Sequence, residues 1–168
     1  MLVGDILADG PTDAIQVTNM GSVEVGGTVY GNLIARNWTS LPAPSMNMQV
    51  TIDGDIDNAD IINNHGNINS LTINGSVISN TGRSDIWSSS NIGTIQVAGS
   101  FDGRVGENDE GLSGHPNVFQ LFVNGDFASS YPMEMLSLSF LDIGGDLNAE
   151  IAVSTAMGSD RLPHTTLV

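Results

Sequence analysis

Hydrophobic and polar residues alternate in a short block that recurs along the whole chain. Each block has the form apolar–x–apolar–x–Gly–x–apolar, and successive copies follow one another every 20 to 27 residues. Period-two alternation predicts short β-strands with one buried face. A repeat of this length predicts an architecture of stacked turns. Six full copies and one truncated copy are centred, in order of the chain with the truncated one first, on Gly4, Gly27, Gly54, Gly75, Gly99, Gly125 and Gly145.

The residues around each glycine distinguish a hairpin from a continuing strand. An Asn-Gly pair between strands, as at residues 74–75, is a strong hairpin signal. A two-residue hairpin would pair Ile73 with Ser76 and mix apolar and polar residues on one face. If the strand continues, Leu71, Ile73 and Val77 share a face, and the same parity holds in all six copies. We therefore expect a continuing strand that bends at an inward glycine, where a side chain would not fit.

Two further groups recur in each repeat. Seven residues before most glycines stands an apolar residue, with Asn47 as the exception, and asparagine precedes it at Asn19, Asn67, Asn91 and Asn117. Asparagine suits corners and can pair with its own copies in a stack. Six to eight residues after most glycines a second inward group is expected: Ile34, Ile61, Ile62, Val105, Tyr131, Met133, Ile151 and Val153.

These features predict an all-β fold, a parallel β-helix or β-solenoid of about seven coils that forms a single domain over residues 1–168. Successive coils would stack about 4.8 Å apart. The segment from Asn91 to Phe101 resembles the repeats of secreted bacterial exoproteins of the form Ile-x-x-Ile-x-Val-x-Gly-Asp-Ile. The resemblance covers nearly the whole chain and implies the fold; the parallel β-helix family includes pectate lyases, adhesins and fibres. Loop insertions are expected near 30–46 and 102–117, both at the same phase of the coil, where they could form a binding face.

The composition of the chain limits the kinds of partner that it can bind. The chain has 19 acidic residues, four arginines and no lysine, and its formal net charge is −15. Such a surface disfavours nucleic acid and anionic membranes. There is no cysteine, and no apolar run approaches the length of a membrane span.

Catalytic chemistry is limited by the same composition. Without lysine the chain can form no P-loop and no Schiff base, and no Gly-x-Ser-x-Gly motif is present. By resemblance, a solenoid lyase would need Asp-held calcium and a basic residue, for which the only arginines are Arg36, Arg83, Arg104 and Arg161. An arginine that pairs with aspartate at a corner is the commoner arrangement, so we expect no enzymatic activity.

Acidic residues at outward positions are candidates for Ca²⁺ binding. Asp53, Asp55 and Asp57 alternate along one strand, and calcium prefers oxygen ligands, but the segment lacks the full EF-hand pattern. Asp126 and Asp146 share one phase on neighbouring coils, where their like charges would be stacked. The predicted fold requires no cofactor. Weak Ca²⁺ binding at these five residues is one hypothesis, and the simpler hypothesis is a solvated acidic surface.

A carbohydrate site is a second hypothesis. Trp38, His65 and Trp87 lie 11, 11 and 12 residues after their glycines, so they would fall at nearly one phase on three consecutive coils. Aromatic rings about 10 Å apart on one edge could stack on a polysaccharide. The alternative is that each Trp packs its corner loop against the solenoid.

The chain ends lead to the functional expectation. Leu2, Val3 and Ile6 occupy buried phases within a coil, and no amphipathic cap precedes Leu167 and Val168. Open strand edges are templates for further strands, so we expect an extracellular or cell-surface fibre subunit that stacks head-to-tail on itself. The alternative hypothesis is that these coils belong to a longer single-chain exoprotein. A carbohydrate-binding module and a lyase-like polysaccharide-degrading domain are the functional alternatives.

Overall fold

A computed structural model describes residues 14–17, 21–35, 46–80, 83–106, 114–129, 133–153 and 165–167, with backbone only for 14–17, 46 and 165–167. These residues form strands and turns, without a helix. The strands are β1 (Ala14–Val17), β2 (Ser22–Val25), β3 (Asn32–Ala35), β4 (Met46–Ile52), β5 (Ile56–Asp57), β6 (Ile61–Asn63), β7 (Gly66–Ile73), β8 (Val77–Ile78), β9 (Asp85–Ser88), β10 (Asn91–Val97), β11 (Phe101–Asp102), β12 (Arg104–Val105), β13 (Asn117–Val123), β14 (Phe127–Ala128), β15 (Met133–Met135), β16 (Ser137–Ile143), β17 (Leu147–Asn148), β18 (Ile151–Val153) and β19 (Thr165–Leu167).

The strands stack into long parallel sheets, as the alternation predicts. Sheet 1 has the order β2-β4-β7-β10-β13-β16, sheet 2 β5-β8-β11-β14-β17, and sheet 3 β1-β3-β6-β9-β12. A smaller sheet 4 has the order β15-β18-β19, in which β19 runs antiparallel to β18. The chain passes from sheet 1 to sheet 2 to sheet 3 and back, so each circuit is one turn of a β-solenoid. The predicted fold class is therefore confirmed.

The predicted number of coils is too high. The turns that begin at β4, β7, β10 and β13 have a neighbour on both sides in sheet 1, so the described residues form about four complete turns rather than seven. The turns of β2 and β16 are the ends of that sheet, and the truncated copy at Gly4 lies outside the described residues. Counting one full coil for each glycine caused the overestimate.

The interior is a continuous apolar column. In the interior turns, inward residues such as Ile73 and Val97 of sheet 1 and Ile56 and Phe101 of sheet 2 are 0% exposed. In sheet 2, Phe101 lies above Phe127 in register, and their rings stack with centroids 5.1 Å apart. Burying one such side chain fully contributes about 1.5–3 kcal/mol, so the interior column is the main source of stability.

A β-bulge explains why two apolar positions three residues apart both point inward. The register between β4 and β7 shifts after Met48, because β7 has one residue more, Asn69, than β4 has. Ile68 and Leu71 are therefore both buried although they are not separated by an even number. Asn47, the exception in the sequence pattern, pairs with Asn67, and Met48 takes the inward place.

The repeated glycines form a ladder of close backbone contacts. The N–H of Gly54 donates to the carbonyl of Gly27 at 3.1 Å, and each later glycine of the repeat bonds to its predecessor at 2.8–3.1 Å. A Cβ on Gly54 would lie 2.7 Å from Gly27 C and from Thr28 N. The expectation that no side chain fits is confirmed, but the obstacle lies in the preceding turn along the solenoid axis instead of in the core.

Sheet 3 is buried on both faces, which the sequence pattern does not indicate. Ile61 faces the main core as predicted, whereas Ile34 and Ile62 lie in a separate buried cluster with Trp87. The inward neighbour of Ile34 is Leu33, which pairs with Ile61. The predicted insertions overlap two strands of this sheet, since 30–46 contains β3 and 102–117 contains β12. The prediction that Ile34 and Ile62 face the interior is thus wrong.

Candidate functional site

The residue after each repeated glycine has a side-chain oxygen, and these residues form what we call the oxygen ladder. After Thr28, the first described member, each donates its backbone N–H to the side-chain oxygen of its counterpart one turn earlier. Asp55 Oδ1 accepts from Ser76 N at 2.7 Å, and Asp126 Oδ1 accepts from Asp146 N at 3.0 Å. The ladder consists of Thr28, Asp55, Ser76, Ser100, Asp126 and Asp146.

The acidic residues predicted to bind calcium do not share one site, because their carboxylates accept hydrogen bonds from different partners. Asp55 and Asp126 belong to the oxygen ladder, whereas the carboxylate of Asp53 accepts from Asn74 Nδ2 at 3.0 Å and that of Asp57 from Asn58 Nδ2 at 2.5 Å. In the part of the chain that the structure describes, no three His, Asp or Glu side chains are grouped so that they could hold a metal ion. Calcium binding stays a prediction, and the direct role of Asp55 and Asp126 is to bond neighbouring turns.

Asparagines form a second ladder at the start of sheet 1, as their common phase predicts. Asn67 Nδ2 donates to Asn47 Oδ1 at 2.9 Å, Asn91 Nδ2 to Asn67 Oδ1 at 3.0 Å, and Asn117 Nδ2 to Asn91 Oδ1 at 3.0 Å. The hydroxyl of Ser137 continues the row by donating to Asn117 Oδ1 at 2.9 Å. Each interior amide is both donor and acceptor, so the ladder fixes the register of five successive turns.

Arg104 is engaged in a buried ion pair with Asp85. The two residues are register partners in β12 and β9, their side chains are 6% and 1% exposed, and the guanidinium contacts both carboxylate oxygens. This is the pairing of arginine with aspartate that the sequence favours over a catalytic base. Arg36 and Arg161 lie outside the described residues, and Arg83 precedes β9.

The predicted aromatic row does not form at one phase. Trp87 pairs in register with Ile62, while His65 lies beyond the end of β6 in the turn that leads to β7. The indole of Trp87 is 1% exposed and donates Nε1–H to the carbonyl of Gly114 at 3.0 Å. Trp38 lies outside the described residues. The prediction of a common phase is therefore wrong for His65 and Trp87. Trp87 packs against the outward side of sheet 3, which agrees with the simpler alternative that the ring is packed against the solenoid.

Sequence reasoning missed a group of aromatic rings on the outward face of sheet 1, which we call the aromatic ridge: Phe119 and Phe140, which are exposed, and Phe122, which is half-buried. Phe119 and Phe140 are 49% and 48% exposed, and Phe122 lies 5.3 Å from Phe140 between ring centroids. The sequence contains a sign of these rings, because Phe122 and Phe140 stand at outward phases where the other repeats have polar residues.

The two ends of the described solenoid differ. In the turn of β2, Val25 and Val29 are 1% and 0% exposed, whereas Leu141, Ile143 and Leu147 in the last described turn are only half-buried. Among the described strands, β16 and β17 each have a neighbour on one side only. An unpaired strand edge above half-buried apolar side chains is a surface that can receive another strand.

The predicted assembly residues are placed only in part. Leu167 lies in β19, whose antiparallel pairing with β18 covers one side of the last described turn. No strand is predicted for this segment, because the residues before Val168 show no amphipathic pattern. Leu2, Val3, Ile6 and Val168 themselves lie outside the described residues.

No protein-family model, curated protein or solved structure matches the chain. Within the described ranges no helix has the length and apolarity to cross a membrane. The class of protein, a parallel β-solenoid, therefore follows from the geometry of the turns alone.

Proposed function

We propose that this chain is a structural, adhesive protein of the extracellular space or cell surface that stacks head-to-tail on copies of itself. The observation that supports this most is the open turn of β16 and β17. Its inward side chains are half-buried, whereas their counterparts one turn earlier, Leu121, Val123 and Phe127, are at most 1% exposed. Covering apolar surface contributes about 25 cal/mol per Å², so strands docked on β16 and β17 would gain the burial of the interior turns, while β19 already covers β18.

The ladders add specificity to such a contact. Asp146 is the last described member of the oxygen ladder, and its carboxylate is exposed where the next turn would donate an N–H. At the other end of the described solenoid, in the turn of β2, Val23 is half-buried while Val25 and Val29 are buried, so the two ends are unlike. A contact between two unlike ends is heterologous, and repetition of it produces an open filament.

The arrangement of charged residues favours a structural role over catalysis. Arg104 is bonded to a buried carboxylate, and Asp55 and Asp126 accept backbone N–H groups. Residues used in this way stabilise the fold, and a lyase would need a basic group that is free to approach a sugar.

The assembly is tested by analytical ultracentrifugation and negative-stain microscopy over a wide range of concentration. Leu141→Lys and Leu147→Lys place charge on the open turn, since lysine on an edge opposes further strand pairing. Gln49→Lys and Ser70→Lys add the same charge at outward positions of interior turns and serve as matched controls. We expect filaments for the unchanged protein and the controls, and shorter or absent filaments for the edge variants. A protein that stays monomeric at high concentration, or that stops at a closed dimer, contradicts the proposal.

A further inference from the structure

The outward face of sheet 1 changes its chemistry along the solenoid axis. In the turns of β4, β7 and β10 this face is polar and uncharged, and in the turns of β13 and β16 it carries the aromatic ridge. Apart from Glu24 and Asp142 at its two ends, the described face has no charge in a chain of net charge −15. Its polar members in those three turns are Asn47, Gln49, Thr51, Asn67, Asn69, Ser70, Thr72, Asn91, Thr94 and Gln96.

Two rings of the ridge are presented to solvent although the interior column lies one residue away. Phe119 and Phe140 are about half exposed, while their chain neighbours Val118 and Leu141 point inward. The tilt of 41° between Phe122 and Phe140 gives two ring faces of different orientation on adjacent turns. A cluster of exposed aromatic rings within a polar face marks a binding surface more often than isolated exposed residues do.

Amide groups lie directly beside these rings. Gln120 is the register partner of Phe140, and Gln96 is the register partner of Phe122. The hydroxyl of Thr94 donates to Gln120 Oε1 at 3.0 Å, which fixes this amide and leaves two N–H donors on its nitrogen. Ring faces flanked by amides and hydroxyls match the chemistry of a sugar, which has apolar C–H faces and hydroxyl edges.

We propose that the aromatic ridge and the amides beside it bind a neutral polysaccharide that runs along the solenoid axis. Adjacent strands lie about 4.8 Å apart, which is close to the length of one pyranose unit, so successive sugars can meet successive turns. The net charge of the chain opposes an anionic glycan. This inference goes beyond self-assembly and does not depend on it.

The ridge is too small to hold a second copy of the chain by itself. A phenylalanine presents about 150–250 Å² in total, so two half-exposed rings offer about 200 Å². A stable protein interface buries about 800 Å² on each partner. A chain of sugars, in contrast, needs contact over only a few turns.

Affinity electrophoresis tests the proposal with the full chain in gels that contain hydroxyethyl cellulose, galactomannan, xyloglucan or, as the anionic comparison, polygalacturonate. We expect at least one neutral polysaccharide to retard the protein and polygalacturonate not to do so. The triple variant Phe119→Ser, Phe122→Ser and Phe140→Ser should weaken retardation about tenfold, the factor that about 1.4 kcal/mol gives. Tyr30→Ser removes a ring that is 43% exposed outside sheet 1 and should change nothing.

Three results in the gels would overturn the inference, and a fourth comes from sedimentation. The three gel results are no retardation by any neutral polysaccharide, equal retardation by polygalacturonate, and unchanged retardation of the triple variant. An unchanged urea midpoint confirms that the triple variant is folded, and should it unfold, Phe140→Ser alone is used. If the triple variant loses a dimer in sedimentation, the face belongs to a second copy and the inference is wrong. Filament formation is scored separately, and its absence with retained sugar binding contradicts only the proposed assembly.

Discussion

Asp85 and Arg104 form a buried bidentate ion pair in sheet 3 of the solenoid. Arg104 Nε lies 2.9 Å from Asp85 Oδ1, and Arg104 Nη2 lies 2.6 Å from Asp85 Oδ2. The backbone of Asp85 in turn donates its N–H to Asp60 Oδ1 at 2.9 Å. One row of polar residues therefore bonds three successive turns. A planar guanidinium suits this site because it satisfies both carboxylate oxygens at once.

Removing the cation alone should destabilise the fold strongly. Arg104→Met keeps most of the side-chain volume but leaves the carboxylate of Asp85 buried without this partner, which costs about 3–5 kcal/mol. The double variant Asp85→Asn with Arg104→Met should lose less, because no charge then stays buried. Urea denaturation of both single variants and the double variant gives the coupling energy. If the double variant is no more stable than Arg104→Met, the ion pair is not the cause of the loss.

The repeated glycines provide a second prediction. Gly54→Ala should cost about 3 kcal/mol, the upper end of the range for overpacking. Its Cβ would lie 2.7–2.8 Å from backbone atoms of Gly27 and Thr28, which cannot move as a side chain can. Gly21→Ala is the matched control, since no heavy atom lies within 4 Å of its added Cβ. Thermal and urea unfolding of the two variants measure the difference. Equal stability would show that the turns separate easily at this corner.

These two features show how far the sequence predicts the fold. Parity around Gly75 correctly excluded a hairpin and placed Leu71, Ile73 and Val77 on the buried side, because the register of a half-buried strand is set by which side chains face the core. The expected continuing strand is wrong, since β7 ends at Ile73 and the chain bends at Gly75 before β8 begins in another sheet. Contacts between distant segments were not predictable in the same way. The burial of Trp87 on the outward side of sheet 3 depends on packing beyond its own strand, such as the bond to the carbonyl of Gly114, 27 residues later in the chain.

The candidate site was predicted less well than the fold, for the same physical reason. Counting residues from each glycine placed Trp87 and His65 at one phase, but turns of unequal length shift the count, and the structure pairs Trp87 with Ile62. The ridge residues Phe122 and Phe140 lie within the regular strands, where counting by two assigns the outward side correctly. Counting by two is therefore reliable between the bulge and the glycine of each repeat and unreliable across corners.

The oxygen ladder predicts a contrast between two substitutions of one residue. Asp126→Asn keeps an oxygen that accepts the N–H of Asp146 and removes one of two stacked charges. Its stability should equal or slightly exceed that of the unchanged protein at low salt, and this gain should shrink as salt screens the charges. Asp126→Ala removes the acceptor and should cost about 1 kcal/mol. Urea unfolding at two salt concentrations separates the effects. A loss in Asp126→Asn equal to that in Asp126→Ala would mean that the charge itself stabilises the turn.

The same residues test the calcium hypothesis. If Asp126 and Asp146 bind Ca²⁺ weakly, calorimetry should detect heat that decreases in the variant Asp126→Asn with Asp146→Asn, and a chelator should lower the melting temperature of the unchanged protein. Absence of heat together with an unchanged melting temperature rejects the hypothesis. The serine-containing part of the ladder, Ser76 and Ser100, bonds turns without any charge, so ion binding is not needed for the ladder to form.

The environment of Trp87 predicts its fluorescence. In a Trp38→Phe background, Trp87 is the only indole, and an indole that is 1% exposed should emit at short wavelength and resist quenching by acrylamide. Polysaccharides should leave this emission unchanged. Trp87→Ala should destabilise the fold by about 3–5 kcal/mol, because it opens a cavity against Ile34 and Ile62. Ready quenching by acrylamide would contradict the buried placement.

The asparagine ladder gives the sharpest matched pair of variants. Asn91 donates through Nδ2 to Asn67 and accepts through Oδ1 from Asn117, so Asn91→Asp replaces a donor by an acceptor and sets two oxygens against each other. Asn47 only accepts in the ladder bond that it makes to Asn67, so Asn47→Asp keeps that bond. We expect Asn91→Asp to lose about 1–3 kcal/mol, the cost of an unsatisfied polar group, and Asn47→Asp to stay within about 0.5 kcal/mol of the unchanged protein. Both variants add one negative charge to a chain of net charge −15, so general repulsion is the same in the two. The urea midpoints of the two variants, measured side by side, test this expectation. An equal loss of stability in both variants would show that added charge, not the direction of the hydrogen bonds, controls stability at this corner.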